Sequence, residues 1–109
     1  MNVLIIGYGS IGRRHADVFS YLSCEVGIVS SHAAGPGIYS SLEDAMHAKR
    51  WDLAVVSNRT SEHAAALEML NSLNFTGDVL VEKPLFDRYV QVQPYAFNRV
   101  YVSYNLRFH

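Results

Sequence analysis

The chain has 109 residues, of which 50% are hydrophobic and 17% are charged. This length and composition support one compact domain with a buried core and leave too few residues for two. The formal net charge is −1, and no run of Lys or Arg is longer than the pair Arg13-Arg14, which argues against a nucleic-acid or membrane-surface partner. The single cysteine excludes an internal disulfide, and the N-terminus has no basic leader, so we expect a cytoplasmic protein.

The first predicted elements are a strand and a helix joined by a glycine-rich turn. Residues 3–6 form a short apolar run that ends at a glycine, which is typical of a strand buried on both faces. A second strand is predicted over residues 25–29, and a loop over 33–37. Between the two strands, apolar residues recur at the spacing of an amphipathic helix. The residues of this stripe, which we expect to face the core, are Ile11, His15, Val18, Phe19 and Leu22.

Helices and strands continue to alternate along the rest of the chain. Ser40 and Glu43 have the spacing of a capping box, which predicts a short helix at this point. A buried strand over 53–56 is followed by a helix with Thr60 or Ser61 as its cap. Its predicted apolar face consists of His63, Ala66, Leu67, Leu70 and Leu73. Further strands are predicted over 79–81 and 100–104, with an irregular segment between them at 85–98. This order predicts an α/β fold of three layers, in which helices cover both faces of a mainly parallel sheet.

The turn after the first strand has the G-x-G-x-x-G spacing of dinucleotide-binding sites, and it directly opens a helix. The glycines suit a tight turn, close approach of a pyrophosphate, and close packing of the helix on the sheet, in that order. Backbone N–H groups at the positive end of the helix are expected to bind the phosphates. A glycine-rich turn without a ligand is the alternative. The predicted cofactor-binding residues of the turn are Gly7, Tyr8, Gly9, Ser10, Ile11 and Gly12.

The residues after the second strand bear on the choice between NAD and NADP. An acidic residue at this place would hold the ribose of the adenosine. The chain has Ser30, Ser31 and His32 there and no carboxylate. Hydroxyls and an imidazole are compatible with a 2′-phosphate, which Asp or Glu would repel. The sequence therefore slightly favours NADP, and NAD stays open because no nearby arginine supports the choice.

Four segments appear in an order and spacing that make a combined signature. They are residues 7–15, 60–63, Glu82-Lys83-Pro84 and 104–108. In these markers the chain resembles the N-terminal NAD(P)-binding domain of the glucose–fructose oxidoreductase / inositol dehydrogenase (Gfo/Idh/MocA) family. The resemblance implies a Rossmann-type fold and an NAD(P)-dependent oxidoreductase. Its reaction would be hydride transfer between nicotinamide and a sugar, polyol or related carbonyl substrate.

The same resemblance implies roles for residues at the ends of two later strands. Glu82 and Lys83 would lie beside the nicotinamide, with Lys83 as the catalytic residue that assists proton transfer at the substrate hydroxyl or carbonyl. Ser57, Asn58 and Arg59 would lie under the cofactor. We expect two histidines to be structural, since His63 falls on the apolar face of its helix and His15 on the stripe described above.

Members of this family are longer, with a second α/β domain that carries most substrate contacts. We therefore expect residues 1–109 to be a truncated or isolated dinucleotide-binding domain that binds cofactor without turnover. The small-molecule substrate, and any homo-oligomer contact, would belong to the missing domain. No metal site is predicted. The alternative function is a non-catalytic dinucleotide sensor or regulatory module, although a sensor has no need of a lysine at position 83.

Overall fold

A computed structural model of the chain describes residues 1–58, 62–82 and 99–103. Within these ranges the strands are β1 (Asn2–Ile6), β2 (Glu25–Val29), β3 (Ile38–Tyr39), β4 (Leu53–Val56), β5 (Asp78–Glu82) and β6 (Arg99–Ser103). The helices are α1 (Ser10–Tyr21), α2 (Leu42–Ala48) and α3 (His63–Ser72). Several residues named above lie outside the described part of the chain, namely Arg59, Thr60, Ser61, Lys83, Pro84 and residues 104–108.

The six strands form one sheet in the order β3-β2-β1-β4-β5-β6, and every pair of neighbours is parallel. β1 is central, with β2 and β4 as its two partners. The chain therefore leaves β1 toward one edge of the sheet and later returns to build the other half. Such a reversal opens a crevice at the carboxyl ends of the central strands. The predicted Rossmann-type α/β fold is confirmed.

The sheet is buried on both faces at its centre. Val3 and Ile5 of β1 pack on the side of α1, together with Ala16. Leu4 and Ile6 point the other way, into a core built with residues of α2 and α3. Each of these four β1 side chains is at most 6% exposed. Such two-sided burial explains why the strand is a continuous apolar run rather than an alternating one.

Helix α1 meets the sheet through small residues, which corrects the predicted core stripe. Gly12 and Ala16 are the buried positions. Ile11, Val18 and Leu22 are 36%, 48% and 60% exposed, so the stripe expected to face the core is largely open to solvent. The physical reason is the close approach of the helix to the sheet at Gly12 and Ala16, and of the predicted stripe Phe19 is partly buried and packs against the core on this side of the sheet.

The structure differs from the prediction at two further points, both between β2 and β4. Helix α2 is capped by Ser41, whose Oγ accepts a hydrogen bond from the Asp44 N–H at 3.1 Å, and not by Ser40. The Ser40 hydroxyl instead lies 3.4 Å from the Asp44 carboxylate. The short strand β3, which pairs with β2 through Ile38 and Tyr39, was not predicted at all.

The later elements match the prediction closely. His63, Ala66, Leu67 and Leu70 form the buried face of α3, as expected from their spacing. β4 has the predicted bounds, β5 extends one residue further than predicted at each end, and β6 begins one residue earlier than predicted. None of the helices in the described ranges has the length and apolar character needed to cross a membrane.

Candidate functional site

The turn after β1 is fixed by close contact with the end of β4. The Gly7 N–H donates to the Val29 carbonyl at 3.0 Å, so the turn begins where β1 and β2 stop pairing. Gly7 has φ +94°, and a Cβ built on it would lie 2.6 Å from both the backbone nitrogen and Cα of Asn58. Glycine is therefore required here for two independent reasons, its backbone angle and the space available.

Gly12 and Ser57 lock the start of α1 onto the same turn. A Cβ on Gly12 would lie 2.1 Å from the Gly7 carbonyl oxygen and 3.0 Å from the Ser57 Oγ. The Ser57 hydroxyl donates to the Gly7 carbonyl at 2.8 Å and also lies 3.1 Å from the Ile6 carbonyl oxygen. The turn, the helix start and the end of β4 thus form one rigid unit.

Gly9 differs from its two neighbours in the motif. Its φ is −86°, an angle open to any residue, and it is the N-terminal cap of α1 without a side chain to accept from the helix amides. A Cβ built on Gly9 would meet no protein atom within 4 Å. Nothing in the packing of the described residues requires glycine at this position, and the space that it leaves open adjoins the first turn of α1.

An open cleft of about 790 Å³ runs across the carboxyl ends of β1, β2 and β4. It brings together eight of the residues that the sequence predicted for a cofactor site: Gly7, Tyr8, Gly9, Ile11, Ser30, Ser31, Ser57 and Asn58. Gly12 and Glu82 are not among the lining residues, and the side chain of Ser10 lies outside the description. The lining also includes His32, which the sequence analysis considered with Ser30 and Ser31, and residues that it did not assign, namely Ile6, Val29, Ser40, Ser41, Leu42 and Glu62.

The wall of the cleft beyond β2 is made of hydroxyl groups and an imidazole. The Ser30 Oγ accepts from the His32 N–H at 3.2 Å, which folds the chain back on itself after the strand. The Ser30 N–H donates to the backbone carbonyl of Tyr39 in β3 at 3.0 Å. This pairing brings Ser40 and Ser41 to the same wall. Ser40 and Ser41 could not be assigned to this wall from the sequence, because the strand β3 that brings them there was not predicted.

The opposite wall contains a buried amide oxygen. The buried imidazole of His63 lies within hydrogen-bond distance of the Asn58 carbonyl, with 2.9 Å from Nε2 to the oxygen, and fixes the segment after β4. This confirms the structural role predicted for His63. The Asn58 side-chain oxygen is shielded from solvent, and none of the described residues gives it a hydrogen-bond partner. A polar ligand with a donor group would satisfy it.

These features fit a dinucleotide: a glycine whose missing side chain faces open space, polar side chains on both walls, and a helix N-terminus between them. A family model described as "Oxidoreductase family, NAD-binding Rossmann fold" (GFO_IDH_MocA) matches residues 1–96. The chain belongs to this family. The resemblance found in the sequence markers is thereby confirmed, and the domain is the NAD-binding Rossmann domain of an oxidoreductase family.

Solved structures share the fold of this GFO_IDH_MocA domain. UDP-N-acetylglucosamine 3-dehydrogenase GnnA from Acidithiobacillus ferrooxidans is 24% identical, with a TM-score of 0.64 over 79% of this chain and 29% of its own. The WlbA dehydrogenase from Chromobactrium violaceum, in complex with NADH and UDP-GlcNAcA, is 16% identical, with a TM-score of 0.66 over 81% of this chain and 28% of its own. The probable oxidoreductase yhhX is 24% identical, with a TM-score of 0.63 over 80% and 28%. The chain thus spans less than a third of each of these proteins. Comparison with curated protein sequences gives no significant match.

Two contacts of the GFO_IDH_MocA domain were not visible in its sequence. The guanidinium of Arg13 lies 5.0 Å from the centre of the Tyr8 ring, so this exposed cation is held over a side chain that lines the cleft. The imidazole Nε2 of His15 contacts the carboxylate of Glu82 at the end of β5. His15 was expected to be a core residue, and it is instead half-buried and hydrogen-bonded to a buried acid.

Proposed function

We propose that this domain binds NAD(P) in the cleft at the carboxyl ends of β1, β2 and β4, as the cofactor half of a dehydrogenase or reductase. The observation that carries the proposal is Gly9, a glycine that the described protein packing does not need and whose missing side chain leaves open space at the cleft. In dinucleotide-binding turns the middle glycine allows the backbone to approach the pyrophosphate. The family match supports the same assignment.

The residues around Gly9 would have different roles in binding the dinucleotide. The first-turn amides of α1, including that of Ile11, would donate to the pyrophosphate at the positive end of the helix. Gly7, Gly12 and Ser57 would hold those amides in place through the contacts described above. The side-chain oxygen of Asn58, which has no hydrogen-bond partner among the described residues, would accept from the bound ligand.

NADP is the dinucleotide that we propose for this cleft, with NAD as the alternative. The wall beyond β2 offers Ser30, Ser31, His32, Ser40 and Ser41, and no carboxylate among the described residues lining that wall. The hydroxyls would donate to a 2′-phosphate, which carries about two negative charges near neutral pH, whereas a carboxylate would repel it.

Catalysis would draw on residues at the end of β5 and on further parts of a longer protein. When bound, the nicotinamide would accept or supply the hydride. We propose that Lys83 assists the accompanying proton transfer at the substrate hydroxyl or carbonyl. A sugar, polyol or related carbonyl compound is the proposed substrate class. It is supported by the neighbours with similar folds, one named as a UDP-N-acetylglucosamine dehydrogenase and one solved with UDP-GlcNAcA. A second, substrate-binding domain and a cytoplasmic location belong to the same proposal.

Titration of the 109-residue chain with NADPH and with NADH, followed by calorimetry, tests the cofactor assignment. We expect saturable binding of at least one dinucleotide, with NADPH the tighter. Absence of binding to both at millimolar concentration would overturn the assignment.

The NADP preference has its own test in the variant Ser30→Asp. A carboxylate beside the 2′-phosphate should weaken NADPH binding by about tenfold or more and leave NADH binding unchanged or improved, because charges this close interact by several kcal/mol even with partial screening. Thr76→Asp adds the same charge in an exposed loop far from the cleft and should alter neither affinity. If Ser30→Asp weakens both dinucleotides equally, the wall beyond β2 does not hold the 2′-phosphate.

A further inference from the structure

We propose that His15 is a positioning residue, which fixes the Glu82 carboxylate and thereby holds the end of β5 in place for the nicotinamide half of the dinucleotide. This inference rests on the proposed function. It goes beyond it by assigning a task to a residue that does not line the cleft and that the turn motif does not include.

The contact links two elements that are far apart in sequence. His15 lies three residues after Gly12, one helical turn beyond the glycine motif, and Glu82 is the last residue of β5. Their side chains are 20% and 10% exposed, and the imidazole Nε2 contacts one carboxylate oxygen. The His15 ring also stacks on Phe19, with 6.4 Å between the ring centres, which limits the orientations open to it.

Glu82 depends on this partner. A buried carboxylate is strongly destabilised unless it is hydrogen-bonded. Within the described ranges, His15 is the residue that provides a hydrogen bond to it. Without that bond the buried carboxylate loses its partner, and neither the side chain of Glu82 nor the end of β5 that carries it is held in one position by His15. The bond therefore acts on the position of a strand end as well as on the stability of the fold.

The end of β5 lies on the nicotinamide side of the cleft. A dinucleotide whose pyrophosphate sits over the turn after the central strand extends one nucleoside toward β2 and the other toward the opposite half of the sheet. In that half, Val56 of β4 is in register with Val81 of β5, so Ser57 and Glu82 follow at neighbouring positions. Ser57 lines the cleft, and Glu82 lies one strand further out. A shift at Glu82 should thus affect the nicotinamide half and spare the pyrophosphate and adenosine contacts.

The experiment compares two ligands on three variants of the 109-residue chain. NADPH is paired with 2′-phospho-ADP-ribose, which has the adenosine and pyrophosphate but no nicotinamide. If the wild type prefers NADH, that dinucleotide is paired with ADP-ribose. His15→Gln places an amide N–H where Nε2 stands, His15→Asn places one where Nδ1 stands, and His15→Leu removes the donor. Thermal unfolding of each variant reports on the fold separately.

We expect His15→Leu and His15→Asn to weaken the dinucleotide by about tenfold, the size of one lost charge-assisted hydrogen bond, and to bind the shorter ligand as the wild type does. His15→Gln should recover most of the lost affinity. An equal loss for both ligands would overturn the inference, since it would mean that His15 acts through the glycine turn. Equal dinucleotide affinity of the Asn and Gln variants would also overturn the inference. This comparison can be made even if the Leu variant does not fold. Failure of the wild type to bind either ligand would instead overturn the proposed function.

Discussion

Gly9 and Gly12 lie in the same motif, yet alanine should affect them in opposite ways. The two positions are at the start of α1, and both have ordinary negative-φ backbone or helical geometry. A methyl group on Gly12 would collide with the Gly7 carbonyl oxygen at 2.1 Å, whereas a methyl group on Gly9 would meet nothing within 4 Å. The pair Gly9→Ala and Gly12→Ala therefore separates the structural use of glycine from the use that a ligand makes of it.

The expected changes in the free energy of unfolding differ in sign and size. In an unobstructed helix, Gly→Ala stabilises by about 1 kcal/mol. At Gly12 the contact is with backbone, which cannot rotate away, so overpacking should reverse that gain and give a net loss of about 1–3 kcal/mol. At Gly9 the reduced entropy of the unfolded chain, about 0.4–1 kcal/mol, is offset by the weaker helix cap, which leaves a change within about 0.5 kcal/mol.

Ligand binding should show the opposite order. A side chain on Gly9 occupies the space through which the backbone approaches the pyrophosphate, and the loss of one or two charge-assisted hydrogen bonds weakens binding by about 10- to 100-fold. Urea denaturation gives the stability of each variant, and calorimetric titration with NADPH and NADH gives the affinities. The reasoning is refuted if Gly9→Ala binds as tightly as the wild type, or if it destabilises the fold as much as Gly12→Ala does.

Three further outcomes test other parts of the structure. Ser41→Ala should destabilise by about 1 kcal/mol through loss of the α2 cap, and Ser40→Ala should change the unfolding free energy far less; the reverse order in urea denaturation would restore Ser40 as the cap. Gly27→Ala should destabilise by about 1–3 kcal/mol because its Cβ would lie 2.2 Å from the Trp51 ring, and combining it with Trp51→Leu should cost less than the sum of the two single changes. Lys83→Ala should leave dinucleotide affinity nearly unchanged, while in an active protein that contains this domain it should lower kcat; a large loss of affinity would assign Lys83 to binding instead of proton transfer.

The strands were the easiest part of the fold to predict. β1 and β4 are buried on both faces, and their sequences are therefore short continuous apolar runs. Helix α3 was equally clear, because large side chains such as Leu67 and Leu70 make its contacts. β3 was missed because Ile38 and Tyr39 are too short a segment to show any period.

Helix α1 shows where a hydrophobicity pattern misleads. The pattern gives weight to large apolar residues such as Val18 and Leu22, which are 48% and 60% exposed here. The buried positions of the contact face are Gly12 and Ala16, whose small size allows the helix to approach the sheet, and Phe19 packs beside them. The same information was present in the turn motif, which calls for a small residue at Gly12 to permit close packing. The motif was thus the better guide to this face.

The capping serine could not be chosen from spacing alone. Ser40 is three residues before Glu43, and Ser41 is three residues before Asp44. Both pairs have the separation that an N-terminal cap requires. The pairing of β3 with β2 settles the register, since it fixes where the extended chain ends and the helix begins.

The candidate site likewise has a part that could be predicted from the sequence and a part that could not. The turn could be predicted because backbone amides that bind phosphate need glycines at fixed separations. These separations are visible in a single sequence. The pairing of His15 with Glu82 spans 67 residues and follows from the order of strands in the sheet, so no local pattern contains it. The two parts nevertheless meet in one helix, since α1 presents its first turn to the cleft and its second turn to the end of β5. The first turn of α1 thus belongs to the proposed pyrophosphate site and the second turn to the end of β5, and the ligand comparison on His15 variants measures the second contribution separately from the first.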